Sequence, residues 1–205
     1  MHRNSQRRVY GDQIYLITSR VEGEYKFFKH QILCDVWIQE LRLTKDVSHM
    51  KLFAFCLNYD HFHLLIKPDI TEANYSKIMQ FLKRHSSRNI NVIFGYNKRS
   101  NEGDIGQYRL QNKTNNAHHR LRNELNKFDE YVLKLRESFK QIYGKNHDIP
   151  KFKWQKSFFD HMIRNKKDLE KHFNYTIYNF LKHELPEKWK YTGLNFKPLL
   201  DDFIG

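Results

Sequence analysis

The spacing of two histidines, His61 and His63, is the feature of this 205-residue chain that most directly suggests chemistry. They fall in an apolar run typical of a β-strand, where side chains alternate between the two faces. Both imidazoles are therefore expected on one side, about 7 Å apart along the strand. Such a pair can bind one divalent metal ion, because imidazole is the commonest metal ligand in proteins. Two ordinary sheet or surface histidines would give the same pattern, so this motif alone decides nothing.

A second pair, Tyr175 and Asn179, is separated by four residues in an amphipathic helical pattern. Residues at i and i+4 of a helix project about 40° apart, so these two side chains are predicted to point the same way. The apolar side chains of the segment cluster on the opposite side, which leaves the pair free to face an active site. Tyr178 lies about 60° from Tyr175 on the same helical wheel and is the reserve candidate. The alternative is an exposed tyrosine beside a solvated amide.

Lysines alternate with aromatic residues between positions 151 and 160, in the run KFKWQKSFFD. This alternation suits single-stranded nucleic acid, since aromatic rings stack on unpaired bases while lysines contact phosphates. A buried edge strand with basic residues on its outer side explains the pattern nearly as well. For the basic residues on the second helix, a solvated helix face is the commoner meaning. The candidate DNA-binding residues are Lys83, Arg84, Lys153, Trp154 and Lys156.

The charge balance favours a polyanionic partner. Lysine and arginine outnumber aspartate and glutamate by 36 to 23, which gives a formal net charge of +13. Nucleic acid is the leading candidate, although basic charge alone is weak evidence. The two cysteines lack a CxxC spacing, so neither a disulfide framework nor a zinc site is indicated and a reducing cytoplasm is expected. We find no apolar stretch of about 18 residues and no export signal, which predicts a soluble protein without membrane contact.

Hydrophobic periodicity predicts an alternation of strands and helices around these motifs. Strands are expected at residues 14–21, 51–57, 62–67 and 152–159, with the second and third joined as a β-hairpin through the turn at 58–60. Helices are expected at residues 30–45, 71–93 and 119–143, and a last one from 168 to before Pro186. A loop is expected at 95–111.

This order of elements predicts an α+β fold, a ferredoxin-like antiparallel sheet with helices on one face. The helix at 119–143 is extra to that plan. We therefore expect one domain built from residues 1–96 and 151–205, with residues 97–150 as a helical insertion.

Four ordered motifs together resemble the single-tyrosine HUH transposases, especially their REP-associated tyrosine transposase branch. The motifs are YLITSR at residues 15–20, LNYDHFHLL at 57–65, WQKSFFDHMIR at 154–164 and DLEKHFNYTIYN at 168–179. The resemblance covers about residues 10–95 and 150–185. It implies that His61 and His63 bind the metal, that Tyr175 is the catalytic nucleophile, and that the Asn179 amide completes the metal site.

The resemblance also implies a function. Such an enzyme uses Mg²⁺ or Mn²⁺ to cleave and rejoin single-stranded or hairpin DNA through a 5′-phosphotyrosine intermediate. We expect a cytoplasmic, nucleoid-associated prokaryotic protein, with a homodimer as one option for its assembly.

The sequence departs from the family pattern in three places. Asp60 stands before the first histidine where relatives commonly have asparagine, and its carboxylate would either reach the metal or cap the turn. Phe180 follows Asn179 where the family often has proline, which predicts a longer helix. Compact relatives lack a counterpart of residues 97–150.

Two alternatives remain open. One is a catalytically inactive, domesticated descendant that binds nucleic acid and recruits a partner through the 97–150 segment. Exposure of Phe128, Leu135 and Phe139 would favour this alternative. The other is an unrelated binding module in which the histidine pair is incidental.

Overall fold

The computed structural model describes residues 12–69, 71, 74–96, 115–144 and 148–203, with side chains from residue 123 onward in the fourth range. Most of the predicted loop at 95–111, and the first part of the predicted insertion, lie outside these ranges. No helix among the described residues is both long and apolar enough to cross a membrane.

The described residues form four strands and five α-helices. In chain order they are β1 (Tyr15–Arg20), α1 (Gln31–Ser48), β2 (Lys51–Leu57), β3 (His61–Lys67), α2 (Tyr75–Ile93), α3 (Asn115–Tyr143), β4 (Phe159–Met162), α4 (Lys166–Ile177) and α5 (Asn179–Lys182). Short 3₁₀ turns occupy Phe27–Lys29, Gly193–Asn195 and Lys197–Leu199.

The strands form one sheet in the order β2-β3-β1-β4, and every neighbouring pair is antiparallel. The two strands at the centre, β3 and β1, are thus separated in the chain by α1 and β2. This arrangement confirms the predicted α+β fold with an antiparallel sheet.

The two faces of the sheet are covered by different helices because side chains alternate along each strand. Tyr15 and Ile17 of β1, with Phe62 of β3, belong to the main core with α1 and α2. Leu16 and Leu65 point the other way and pack with residues of α4. The prediction of helices on one face therefore holds for α1 and α2, whereas α4 covers part of the opposite face.

The long helix α3 packs on the domain. Its residues Leu125, Phe128, Val132 and Phe139 are buried and join the same core as α1 and α2, and Leu135 packs against that core. The exposed apolar stripe that would favour a partner-recruiting insertion is therefore absent from the described part of this helix.

The last strand begins later than predicted. Residues 152–158 do not form a regular strand, apart from an isolated bridge between Trp154 and Val21. At the first residue of this segment a side chain takes the place of a partner strand. The Asn91 amide donates to the Phe152 carbonyl at 2.8 Å and accepts from the Phe152 backbone N–H at 2.9 Å. Both backbone groups of Phe152 are thus satisfied without a partner strand.

This contact gives a first prediction. Replacing Asn91 by alanine leaves two buried backbone groups unpaired and is expected to lower the free energy of unfolding by about 2–4 kcal/mol. Urea denaturation measures the change. Asn123→Ala, on an exposed turn of α3, is the matched control and should stay within about 0.5 kcal/mol of the parent protein. Equal effects of the two changes would contradict this account.

The last predicted helix is split in two. Helix α4 begins after Asn165, whose side chain accepts from the Asp168 N–H, and ends at Ile177. The Ile177 carbonyl accepts from the Thr192 hydroxyl at 3.2 Å, and the Leu181 N–H bonds instead to the carbonyl of Tyr178. The prediction of one continuous helix through residues 175–179 is therefore wrong, and Asn179 opens the short helix α5.

The chain after α5 runs along the outer edge of β2. The Leu57 N–H donates to the Tyr191 carbonyl at 2.9 Å, and the Asp201 N–H donates to the Leu52 carbonyl at 2.8 Å. The indole of Trp189 also donates to the Leu57 carbonyl. These contacts attach residues 189–201 to the sheet next to the region of α5.

Candidate active site

Strand β3 holds His61 and His63 on the face of the sheet opposite to Phe62. Their rings are 5.0 Å apart between centroids and nearly perpendicular. Both side chains are buried. The prediction that the two imidazoles share one side of the strand is therefore confirmed, and both side chains are buried rather than exposed.

The environment of His63 keeps its ring neutral at neutral pH. Burial, followed by the charges of His61 and His183, lowers the pKa of His63 to about 3, although the interaction with Asn179 acts in the opposite direction. The Thr18 hydroxyl is hydrogen-bonded to Nδ1 at 2.7 Å, whereas the buried Nε2 has no hydrogen-bond partner. A buried nitrogen without a partner is costly, and a bound cation would satisfy it.

The ring of His61 is oriented by a carboxylate. Asp60 Oδ1 lies 2.6 Å from Nδ1, and the other oxygen of Asp60 accepts from Arg20 at 2.7 Å. The hydrogen bond with His61, followed by that with Arg20, holds the pKa of Asp60 well below its ordinary value, against the opposing effect of burial. Asp60 therefore acts on His61, as outer carboxylates do in metal sites.

An amide network connects His61 to Asn179. The Asn58 amide nitrogen donates to His61 Nε2 at 2.8 Å and to Asn179 Oδ1 at 2.7 Å. Asn179 is fully buried, and its own amide nitrogen has no partner. Asn179 thus reaches the histidine pair from α5, although it does not share a continuous helix with Tyr175. The sequence indicated Asn58 only as a turn residue.

A third histidine, His183, was not predicted. Its ring lies 4.5 Å from that of His61, and one ring nitrogen from each of His61, His63 and His183 falls within 4.8 Å of the other two. Burial, followed by the charge of His61, lowers the pKa of His183. Three imidazole nitrogens this close form a possible histidine-based metal site.

Tyr175 lies beside this cluster. Its ring centroid is 5.2 Å from that of His63, and the ammonium of Lys182 is 4.4 Å from the centre of the tyrosine ring. Tyr178 caps the end of α4 and is 46% exposed. A pocket of about 800 Å³ is lined by Tyr175 and His63, and Tyr178 is not among its lining residues.

A second polar cluster adjoins the same pocket. Asp168 bonds through one oxygen to His161 Nε2 at 3.0 Å and through the other to His172 Nε2 at 3.2 Å. Burial works to raise the pKa of Asp168, but hydrogen bonds from the Arg164 backbone and from His161 outweigh it, so the pKa is lowered. This cluster orients His172, whose ring centroid lies 6.4 Å from that of Tyr175.

The prediction that Trp154 stacks on DNA bases is wrong. Its side chain is 7% exposed, its indole donates to Ser86 Oγ at 2.9 Å, and its ring packs on Phe62. A ring packed in this way is not available to stack on a base. The alternating pattern arises because the side chains of Phe152 and Trp154 are buried while the lysines of this segment are exposed.

The basic residues around Trp154 line a groove between α2 and residues 151–158, with a volume of about 1020 Å³. Arg84, Lys153 and Lys156 are exposed in this groove. Lys83 also lines it, but its ammonium donates to the backbone carbonyls of residues 155–157. Lys83 therefore ties this segment to α2.

Comparison with known proteins shows sequence similarity to transposases. Residues 12–105 match the sequence model of the IS200-like transposases. A protein of Haemophilus influenzae that carries the name of a REP-associated tyrosine transposase is 26% identical over 145 residues, which are 69% of this chain and 57% of that protein. The chain thus spans little more than half the length of this relative.

A solved structure of a REP-associated tyrosine transposase bound to a REP hairpin is 15% identical, with a TM-score of 0.45, over 98% of this chain and 90% of that one. The sequence matches confirm the resemblance indicated by the four motifs.

Proposed function

We propose, from the similarity of this chain to the IS200-like transposases, that it is a metal-dependent tyrosine DNA transposase that cleaves and rejoins single-stranded DNA. One observation carries the proposal. A tyrosine, Tyr175, lies next to a buried histidine, His63, whose Nε2 has no partner. A nucleophile and a metal ligand are the two groups that such a reaction needs side by side.

His61 and His63, with Asn179 or His183, would hold Mg²⁺ or Mn²⁺. The fit test gives one free donor, because the buried His63 Nε2 has no partner. His61 Nε2 and Asn179 Oδ1 both accept from the Asn58 amide, which a bound ion would displace. When bound, the ion polarises the scissile phosphate and stabilises the negative charge that develops on it.

Tyr175 supplies the nucleophile. Its phenolic oxygen forms a bond to phosphorus while the bond from phosphorus to the 3′ oxygen breaks. The phenolic proton leaves, and the departing 3′ oxygen ends as a hydroxyl. The 5′ phosphate remains on the enzyme, and attack by another 3′ hydroxyl reverses the step, so rejoining consumes no ATP.

The basic surface supports a nucleic-acid substrate. Arg84, Lys153 and Lys156 line one groove, and Lys171 and Lys182 line the pocket of Tyr175. We assign residues 1–96 and 151–205 to the transposase domain and residues 97–150 to an insertion, whose helix α3 stabilises α2 by packing against it.

The test uses a pool of hairpin oligonucleotides with randomised single-stranded flanks, incubated with the protein and Mn²⁺ and analysed by denaturing electrophoresis. DNA labelled at its 3′ end should appear in a covalent adduct, whereas DNA labelled at its 5′ end should appear as a shortened free strand. EDTA should prevent both products, and mass spectrometry of the adduct should place the phosphate on Tyr175. DNA binding without an adduct would instead indicate the inactive descendant.

The carboxylate behind His61 gives a further prediction. Asp60→Asn removes the negative charge that orients His61 and is expected to weaken Mn²⁺ binding about 10- to 100-fold. Isothermal titration calorimetry measures the affinity. Asp12→Asn, which breaks an exposed ion pair with Lys67, is the matched control and should leave the affinity unchanged. An unchanged affinity in Asp60→Asn would exclude this role of the carboxylate.

A further inference from the structure

One row of paired residues crosses the sheet from the candidate metal site to its edge. His63 of β3 pairs with Thr18 of β1, and Thr18 pairs with Phe159 of β4. Residues paired across antiparallel strands point to the same face, and adjacent strands are about 4.8 Å apart. Phe159 therefore lies on the face of His63, about 10 Å away along the row.

The ring of Phe159 is open to solvent. The side chain is 62% exposed, although Phe158 beside it packs against the main core. A phenylalanine that exposes most of its surface contributes little to the hydrophobic core. Its ring is therefore available to a ligand.

Charge and shape around Phe159 fit a nucleotide. The ring lines the pocket of about 800 Å³ that also contains Tyr175 and His63, and Lys171 and Lys182 line the same pocket. An aromatic ring with nearby lysines is the arrangement that binds single-stranded nucleic acid, since bases stack on the ring and phosphates contact the ammonium groups.

We propose that Phe159 stacks on the base of a nucleotide next to the scissile phosphate, while Lys171 and Lys182 contact the flanking backbone. This inference rests on the proposed function and assigns to Phe159 the stacking role that Trp154 is too buried to perform. Phe159 is a positioning residue in this account.

The test compares two probes that share phosphates but differ in bases: a fluorescent 12-residue oligothymidylate and a fluorescent 12-residue abasic backbone. Binding is measured by anisotropy in EDTA, so no cleavage occurs. Phe159→Ala is expected to weaken oligothymidylate binding about 5- to 100-fold, because stacking on one aromatic side chain is lost. Binding of the abasic probe should not change, and Phe159→Trp should retain the preference for the probe with bases.

Two control variants distinguish base stacking from the effect of charge and from the loss of any exposed apolar side chain. Lys171→Ala should weaken both probes equally and reduce the salt dependence of binding. Ile142→Ala removes an apolar side chain of similar exposure, 64%, on α3 and should change neither affinity.

Equal loss of both probes in Phe159→Ala, or no loss of either, would overturn the proposal. Because the assay needs neither metal nor cleavage, it gives a result even if no Tyr175 adduct ever forms. Failure of the stacking role and failure of the proposed function are thus distinguishable.

Discussion

Tyr175→Phe is expected to abolish the covalent adduct with DNA and to lower strand cleavage by about 10⁴-fold or more, as loss of a nucleophile does in other enzymes. The change removes only the phenolic oxygen. The ring keeps its contacts with His63 and with the Lys182 ammonium, so the fold and the binding of single-stranded DNA should be retained. Adduct formation on a denaturing gel and affinity by anisotropy measure the two effects separately.

The matched control is Tyr178→Phe. Tyr178 lies three residues away, but it is exposed at the end of α4 and does not line the pocket that contains His63. This variant should form the adduct at the rate of the parent protein. If the adduct instead persists in Tyr175→Phe and disappears in Tyr178→Phe, the nucleophile is Tyr178.

His63→Ala is expected to produce the second large effect, loss of metal binding together with about a 10³-fold or greater loss of cleavage. Binding of Mn²⁺ to the folded protein raises its stability, by about 2.7 kcal/mol when the free ion exceeds its Kd 100-fold. The melting temperature of the parent protein should therefore rise with Mn²⁺. The variant should melt at the same temperature with and without the ion.

His30→Ala is the control that tests whether losing any histidine abolishes the Mn²⁺-dependent rise in melting temperature. His30 is hydrogen-bonded to Tyr25 and Tyr143, outside the cluster of His61, His63 and His183, so the Mn²⁺ shift should survive this change. A full Mn²⁺ shift in His63→Ala would show that the ion binds elsewhere.

The sequence predicted those parts of the site that depend on local periodicity. A period of two put His61 and His63 on one face of β3, and the helical pattern around Tyr175 was correct for α4 up to Ile177. Both features follow from residues within a few positions of each other. The order of strands and helices was predictable for the same reason, since each element has its own hydrophobic pattern.

The parts that escaped prediction depend on contacts between distant residues. Helix α4 ends where Thr192, 15 positions later, takes the carbonyl of Ile177. That break brings Asn179 into a different helix and His183 next to His61. No local signal at these positions indicates the break.

The delayed start of β4 has a similar cause. Asn91, 61 positions earlier, binds the backbone of Phe152. Trp154 was misassigned because alternation of lysine and aromatic residues fits an exposed nucleic-acid surface and a half-buried segment equally well. Burial distinguishes the two, and burial is a property of the folded chain.

Because residues 189–201 are attached to β2, the two edge strands of the sheet differ. An unprotected strand at a border invites pairing with another chain, but the backbone of β2 is already engaged by Tyr191 and Asp201. The opposite border is β4, only four residues long and carrying Phe159. Any second sheet that extended this one through β4 would pair with the strand that carries Phe159, so under the proposed function strand addition and DNA binding would compete at that edge.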